Sequence, residues 1–289
     1  MELVIEVVRG DLVEARHRVH AVAVKAGEVV VSAGDPMLVT HFRSAAKPLQ
    51  AVPVVRARPD LDDAEIAIAC ASHLARPEQL DAVRSLLAKA GATEEDLECG
   101  PESTRIEHNC SGKHAGFIAL CKAEGWPVEG YRLIEHPCQH AVRDEISVAA
   151  MVDPDGIATA VDGCGVVTFA LPLARMAHAF SRLVQSEGAT RIVEAMRGHP
   201  QLIRGPGAAD TELMRTQPGW IAKGGAEGLL CAASPDGLGI ALKIEDGAGR
   251  AVRSAAAAFL RRLGLDTGDL GVVPVTNSRD EIVGELRAV

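Results

Sequence analysis

The sequence predicts an α+β fold, in which segments from both chain ends build one antiparallel sheet and a helical subdomain is inserted between them. Three observations predict this. β-branched residues dominate the first forty residues, helix-like apolar spacing dominates the middle, and short glycine-punctuated apolar segments follow residue 218. We expect a single domain over residues 1–289, with a sheet subdomain from about 1–45 and 218–289 and a helical subdomain from about 46–217.

Each element has its own local signal. The turn Gly34-Asp-Pro36 ends the first group of strands. The clearest helix has Pro77 near its first position and Gly91 at its end, because these residue types favour those two boundaries. The expected strands cover 3–8, 21–24, 28–31, 156–161, 219–223, 228–232, 237–244 and 281–289; the expected helices begin near 42, 76, 113 and 136 and cover 169–184, 191–196 and 251–263.

Composition argues against several classes of protein. The net charge is −9, aromatic residues make up 3%, and no run of Lys or Arg occurs, so a nucleic-acid partner is not expected. No apolar run approaches the roughly 18 residues of a membrane span, and the N-terminus reads as a strand rather than a signal peptide. The seven cysteines are unclustered, which favours a reducing, cytoplasmic location over a disulfide framework.

The best-supported chemical feature is the pair Ser44 and Lys47. Residues three apart share one helix face, and a buried, neutral lysine is able to take the proton of a serine nucleophile. Pro48 confines Ser44 to the very start of a helix, where free N–H groups suit an oxyanion. The alternative is that Ser44 simply caps the helix.

Four further segments place polar residues beside small ones. Ser72 in Cys70-Ala-Ser-His73 is either a second catalytic hydroxyl or a turn serine, with His73 a capping or surface residue. The other segments are His108-Asn-Cys-Ser-Gly-Lys-His-Ala-Gly116, Asp162-Gly-Cys-Gly165 and Ala222-Lys-Gly-Gly-Ala-Glu-Gly228; the last is also readable as a glycine-rich hairpin. If the segments meet, Cys110, Lys113 and Cys164 form a possible zinc site, although a lysine ligand is unusual.

Together with Phe42-Arg-Ser-Ala-Ala-Lys-Pro-Leu-Gln50 and Ala241-Leu-Lys-Ile-Glu-Asp-Gly247, these segments resemble the class 3, rhizobial-type "asparaginase II" family, in order and over nearly the whole chain. The resemblance implies a fold similar to serine β-lactamases, penicillin-binding proteins and serine-dependent glutaminases. It implies hydrolysis of L-asparagine to L-aspartate and ammonia, and two Ser–Lys pairs. We assign these as Ser44 with Lys47 and Ser72 with Lys223, with Lys243 as the weaker choice. It also implies zinc at Cys110, Lys113 and Cys164.

The expected reaction is a two-step acyl transfer, in which Lys47 deprotonates Ser44 and the pair of Ser72 and Lys223 relays a proton to the leaving ammonia. The partners expected for the α-groups of the substrate are Arg43 or Lys113 for the carboxylate, Asp162 or Glu227 for the ammonium, and His114 for either.

Three alternatives remain: a glutaminase, β-lactamase or peptidase on the same fold, a cysteine hydrolase using Cys110 or Cys164, and a non-catalytic amino-acid-binding protein. We expect a homodimer that binds a small molecule and neither nucleic acid nor membrane.

Overall fold

The computed structural model describes residues 2–289 and has eleven strands and ten α-helices in that part of the chain. The strands are β1 (Val4–Arg9), β2 (Leu12–Lys25), β3 (Glu28–Ala33), β4 (Val39–His41), β5 (Ala158–Val161), β6 (Val167–Pro172), β7 (Ile221–Gly225), β8 (Leu229–Ala233), β9 (Gly239–Ile244), β10 (Val273–Thr276) and β11 (Ile282–Ala288). The helices are α1 (Lys47–Ala57), α2 (Asp63–Ala69), α3 (Pro77–Lys89), α4 (Ser111–Glu124), α5 (Pro137–Ala150), α6 (Leu173–Leu183), α7 (Thr190–Gly198), α8 (Pro200–Ile203), α9 (Ala209–Thr216) and α10 (Val252–Arg262).

The main sheet has eight strands, drawn from both ends of the chain. Its order is β10-β11-β1-β2-β9-β8-β7, and β3 pairs with one end of the long strand β2. All of these pairings are antiparallel. The α+β fold class predicted from the sequence is therefore confirmed.

The centre of the main sheet is covered on both faces. Every residue of β8 and β9 is buried, although successive side chains in a strand point to opposite faces. Helix α6 packs against β2, β8 and β9, and α10 packs against β1, β8, β9 and β11. A Cβ on Gly239 would lie 2.0 Å from the carbonyl oxygen of Ala177, so glycine is what lets β9 approach α6 this closely.

The middle of the chain is mostly helical, as predicted, but it also holds a small three-stranded sheet of order β4-β6-β5. This corrects two expectations. The segment 169–172 is part of strand β6 and not of a helix, because α6 begins only after Pro172. Strand β4, expected within the main-sheet subdomain, pairs with β6 instead. The small sheet positions the chain that leads into Ser44.

Among the helices described between residues 2 and 289, none is both long and apolar enough to cross a bilayer.

Candidate active site

A cavity of about 650 Å³ opens where the main sheet meets the helical region. Ser44 and Ser72, two of the four expected catalytic residues, lie in its wall. Most of the remaining lining comes from a segment around α9, from the glycine-rich end of β7, and from the chain just before and within α10: Arg204, Pro206, Gly207, Ala208, Ala209, Asp210, Gly224, Gly225, Ala226, Gly249, Arg250, Val252 and Arg253. The other lining residues are Leu74, Asn109, Leu229 and Val273.

Ser44 is held at the cavity by a strained turn anchored on the small sheet. The N–H of Phe42 donates to the carbonyl of Phe169 at 2.7 Å, and the N–H of Arg43 donates to Thr168 Oγ1 at 3.1 Å. Arg43 has a φ of +48°, a left-handed conformation that is costly for a residue with a side chain and that clusters at functional sites. Ser44 follows it in a 3₁₀ turn, and α1 begins at Lys47.

Pro48 lies in the first turn of α1, as the sequence required. Because α1 begins only at Lys47, no helical hydrogen bond is lost when Pro48 supplies no N–H. The backbone N–H of Lys47 donates instead to the carbonyl of Ser44, which closes the 3₁₀ turn. Ser44 is therefore at the helix start, half-buried, and not a side-chain cap.

Lys47 is fully buried, and its Nζ contacts three acceptors. It lies 2.5 Å from the carbonyl oxygen of Ala71, 2.9 Å from Ser72 Oγ and 3.2 Å from Cys110 Sγ. An ammonium group has three N–H donors, so the protonated form is completely satisfied. Burial nonetheless lowers the pKa of Lys47, since taking a charge out of water disfavours the charged form. A neutral amine is able to accept a hydrogen bond from Ser72 Oγ in the same geometry.

The expected direct contact between Lys47 and Ser44 is not among these hydrogen bonds, and their catalytic pairing stays a prediction. Among the side-chain hydrogen bonds of residues 2–289, Lys47 makes one to Ser72 and none to Ser44. The reason is that the lysine side chain extends inward from α1 to the loop after α2, where it reaches a carbonyl, a hydroxyl and a thiol together. Three residues of sequence separation cannot reveal these contacts, because their partners come from elsewhere in the chain.

Ser72 is buried and held from both sides by the segment around α8. Its N–H donates to the carbonyl of Ile203 at 2.8 Å, and its own carbonyl accepts from Arg204 Nη1 at 3.1 Å. His73 is also buried, so it is not a surface residue. Its Nδ1 accepts from the N–H of Ala75, which leaves Nε2–H to donate to Ser111 Oγ at 2.8 Å. His73 is thus a fixed, neutral clamp on the Ser72 loop.

Lys223 on β7 is fully buried and has an acidic neighbour that the sequence analysis missed. Its Nζ donates to the carbonyl of Gly224 at 2.7 Å and lies 3.5 Å from Asp210 Oδ2. Burial lowers the pKa of Lys223 to about 8, although the carboxylate of Asp210 opposes this shift and Lys47 adds to it. The expected hydrogen bond from Lys223 to Ser72 is not among those of the described residues. Lys243 lies outside the cavity lining and donates to the carbonyl of Ile244.

Asp210 is 2% exposed, and the start of α9 and the end of β7 hold it in place. Its Oδ2 accepts from the N–H of Gly224 at 3.0 Å, and a Cβ on Gly224 would lie only 3.2 Å from that oxygen. The glycine is what permits this close approach. Sequence gave little signal for Asp210, because an acidic residue in the first turn of a helix is ordinary. Asn109 and Arg204, which also line the cavity, were likewise not singled out.

Cys110, Lys113 and Cys164 do come together behind Ser72. Lys113 Nζ donates to Cys164 Sγ at 3.2 Å. The hydrogen bond from Cys164 lowers the pKa of Cys110 well below its ordinary value, with help from Lys47 and Lys113; the same bond raises the pKa of Cys164. Burial alone would lower the pKa of Lys113, but the two sulfurs raise it above its ordinary value. These shifts favour loss of the proton from Cys110 before Cys164 and retention of the proton on Lys113.

The two sulfurs are donors that zinc prefers, and Lys113 adds an amine nitrogen once it has lost its proton, so the three residues fit this metal although a lysine ligand is unusual. Carboxylates and imidazoles do not complete a site, since residues 2–289 contain no cluster of three or more His, Cys, Asp or Glu side chains suited to a metal. A metal would therefore rest on Lys113 as the third protein ligand.

The expected substrate-binding residues do not line the cavity. Arg43 Nε pairs with Asp162 Oδ1 at 2.7 Å, which fastens the turn before Ser44 to the loop between β5 and β6. Lys113 is engaged with Cys164. Glu227 is exposed in the turn after β7, with its carboxylate toward Gly247. Each of these residues is therefore supported as a positioning or surface group rather than as a direct contact to a ligand.

His114 is completely buried and belongs to a second polar cluster. Tyr131 Oη accepts from the N–H of Glu98 at 2.8 Å, so its own proton donates to His114 Nδ1 at 2.7 Å. Burial, followed by the charge of Lys113, lowers the pKa of His114 well below its usual range, so this imidazole is neutral. His114 does not line the cavity, so the structure gives no support to the expectation that it contacts the substrate.

Comparison with known proteins identifies one family. The family model described as L-asparaginase II matches residues 5–288. A crystal structure of a β-lactamase from Mycobacterium bovis has a TM-score of 0.47 and 16% identity, covering 86% of this chain and 95% of that chain. Mglu in its native form has a TM-score of 0.43 and 16% identity, covering 91% of this chain and 66% of that chain. Simvastatin synthase from Aspergillus terreus has a TM-score of 0.42 and 10% identity, covering 78% of this chain and 86% of that chain. Comparison with curated proteins returned no match.

Proposed function

Because the chain belongs to the L-asparaginase II family, we propose that it hydrolyses L-asparagine to L-aspartate and ammonia through a serine acyl-enzyme. The observation that carries the proposal is the hydrogen bond of 2.9 Å between Lys47 Nζ and Ser72 Oγ, at the wall of a cavity that Ser44 also lines. A hydroxyl in contact with a buried amine of lowered pKa is a nucleophile-activating unit.

The two serines have different environments, and these favour different roles. Ser44 is the more exposed to the cavity, so we assign its Oγ the attack on the side-chain amide carbon. Ser72 is 4% exposed and bonded to Lys47, so we assign it the transfer of the proton from Ser44 to the lysine amine. The backbone N–H of Ser44 is the candidate to hold the oxyanion, because the N–H groups of Arg43 and Ala45 already donate to Thr168 Oγ1 and to the carbonyl of Phe42.

Collapse of the tetrahedral intermediate breaks the C–N bond, and Lys47 returns the proton through Ser72 to the leaving ammonia. Water then attacks the aspartyl ester, with the same amine as base, and frees Ser44. Lys223 is the second buried amine near this path. Its pKa of about 8 is close to neutral pH, so both its protonated and its neutral form are accessible there.

Zinc is the cofactor we propose, with Cys110, Lys113 and Cys164 as the residues that would hold it. Bound there, the ion would act as a Lewis acid beside the cavity wall. Cys110 Sγ also contacts Lys47 Nζ, so the residues that would hold the metal lie directly beside the lysine. A homodimer and a cytoplasmic location remain predictions from the sequence.

The function is tested by ammonia release from asparagine, with glutamine and a chromogenic β-lactam as comparison substrates. We expect Ser44→Ala, Lys47→Met and Ser72→Ala each to lower kcat by at least about a hundredfold, which is the lower range for losing a general base or nucleophile. Ser186→Ala, at an exposed serine outside the cavity, is the matched control.

Three results would contradict the proposal. Near-wild-type ammonia release from asparagine in any of the three variants would remove that residue from the mechanism. A preference for glutamine would mean that glutamine and not asparagine is the substrate. Binding of asparagine without turnover would support the amino-acid-binding alternative. Mass spectrometry of enzyme quenched during turnover should locate the acyl group on Ser44; acylation of Ser72 would exchange the two assigned roles.

A further inference from the structure

The cavity is larger than the proposed substrate requires. Its volume of about 650 Å³ lies within the roughly 300–1,000 Å³ of pockets that enclose drug-sized ligands, whereas free asparagine is one of the smaller metabolites. The space continues from Ser44 and Ser72 to the chain at Gly249–Arg253 and to Val273. We call the part formed by Arg250 and Arg253 the arginine end.

The charge of the cavity is opposite to that of the protein. Its charged lining residues are Arg204, Arg250, Arg253 and Asp210, and Asp210 is already beside Lys223 at 3.5 Å. Within residues 2–289, none of the three arginines has a carboxylate at salt-bridge distance, although the whole chain carries a net charge of −9. Uncompensated guanidinium groups in a concave site favour an anionic ligand, because each is able to form charge-assisted hydrogen bonds.

Arg250 is held in place by a buried histidine that the proposed reaction does not use. His17, which is 4% exposed, has Nδ1 at 2.7 Å from Asp246 Oδ2, and its Nε2 accepts from Arg250 Nε at 3.1 Å. A ring nitrogen that accepts from a guanidinium carries no proton, so Nδ1–H donates to Asp246. Asp246 is thereby engaged with His17, and the two terminal nitrogens of Arg250 are left for a ligand.

Arg253 is held by backbone carbonyls only. Its Nε donates to Leu270 at 2.8 Å and its Nη2 donates to Asp269 at 3.1 Å. The nearby carboxylates of Glu212 and Asp269 both pair with Arg215, at 2.7 Å each. Neutral acceptors therefore fix the direction of Arg253 without cancelling its charge. The two guanidinium groups of the arginine end are thus oriented in advance and unpaired.

We infer that the arginine end binds a carboxylate of a substrate longer than asparagine, so that the preferred class is an asparagine compound extended to carry a carboxylate farther from the reacting amide. The inference rests on the proposed function for the reacting amide, which lies at the Ser44 and Ser72 end. The extension is attached at the α-carboxyl group, as in a dipeptide with amino-terminal asparagine, or at the α-amino group, as in asparagine acylated by a dicarboxylic acid.

The test uses substrate pairs that differ only in the distal carboxylate. Asparaginyl-alanine is compared with its C-terminal amide, and N-succinyl-asparagine is compared with N-butyryl-asparagine, in which a methyl group replaces the distal carboxylate. Ammonia release from free asparagine is measured in parallel. We expect kcat/KM to be about three- to tenfold higher for the acidic member of one pair, between the value of an exposed ion pair and that of a charge-assisted hydrogen bond. The pair that shows this difference in kcat/KM identifies whether the extension is attached at the α-carboxyl or the α-amino group.

Arg250→Gln and Arg253→Gln should each bring the ratio of kcat/KM between the acidic and the neutral member of the pair toward one, because glutamine keeps hydrogen-bonding capacity without charge. Arg84→Gln, on the exposed face of α3, should retain it. Equal kcat/KM within both pairs, or no turnover of any extended compound by an enzyme that hydrolyses asparagine, overturns the inference and leaves the proposed function intact.

If asparagine itself releases no ammonia, the proposed function fails, and calorimetric binding of the same two pairs decides the inference independently. A lower Kd for the acidic member, lost in Arg250→Gln, supports it; equal Kd values overturn it.

Discussion

Replacing Asp210 by asparagine should move the pH profile of the enzyme to lower pH. Asp210 Oδ2 lies 3.5 Å from Lys223 Nζ, and both groups are buried. Burial lowers the pKa of Lys223 to about 8 even though the carboxylate of Asp210 opposes this shift. Asparagine keeps the shape of the side chain and can still accept from the N–H of Gly224. The substitution therefore removes charge with little change in packing.

The size of the effect follows from the separation. Two unit charges about 4 Å apart interact by about 4 kcal/mol at an effective dielectric constant near 20. At about 1.36 kcal/mol per pKa unit, the upper limit is a fall of about three units, and a fall of at least one unit is expected after relaxation of the site. Lys223 is protonated below its pKa, so the variant should contain the neutral amine at a pH where the wild type still holds the ammonium.

The assay is kcat/KM for asparagine between pH 5 and about 10, with ammonia measured in quenched samples. If neutral Lys223 assists the reaction, wild-type kcat/KM rises with pH to a plateau through a midpoint of about 8, and Asp210→Asn lowers that midpoint. Asp236→Asn breaks a Lys–Asp pair at the surface, to Lys25 at 2.6 Å, and should leave the profile unchanged. A profile that is identical in wild type and Asp210→Asn would refute the assignment of Lys223.

Three further outcomes are expected. Tyr131→Phe should lower the free energy of unfolding by about 2–4 kcal/mol in urea titrations, because the N–H of Glu98 and the ring of His114 lose their shared partner; an unchanged midpoint would contradict that network. Zinc bound after dialysis should be lost on Cys110→Ala and kept on Cys231→Ala, a core cysteine of β8; equal zinc contents would remove Cys110 from the metal site. Gly239→Ala should destabilise by more than about 3 kcal/mol, since its Cβ would clash with α6, and circular dichroism after heating should show this; a wild-type Tm would disprove the close approach.

Sequence reasoning succeeded where the controlling interactions were local. Pro48 restricts hydrogen bonding within one helical turn, so the placement of Ser44 just before α1 followed from the sequence. The boundary at Pro172 was also available locally, because a proline disfavours helix in the residue before it. The apolar run before it matches a buried strand and a helix equally well, so periodicity does not separate the two, and the helix predicted there is wrong.

The partner of Lys47 was beyond local reasoning. Ser72 and Cys110 lie 25 and 63 residues away in sequence, and only the packing of α1, α2 and α4 brings them to one amine. Asp210 and His114 show the same limit from opposite directions. Asp210 has no distinctive sequence context but lies beside Lys223 in the structure. His114 belongs to a dense polar motif but is buried and hydrogen-bonded to Tyr131.

The origin of the site residues has a consequence for refolding. Ser44 depends on the small sheet, Ser72 on the segment around α8, and Lys223 on the main sheet, so the site exists only when all three regions have docked. Activity at these serines is then a probe of complete assembly, whereas circular dichroism reports helices and strands that form separately. After dilution from denaturant, regain of activity should follow the slowest docking step, and a fragment that lacks either chain end should be silent.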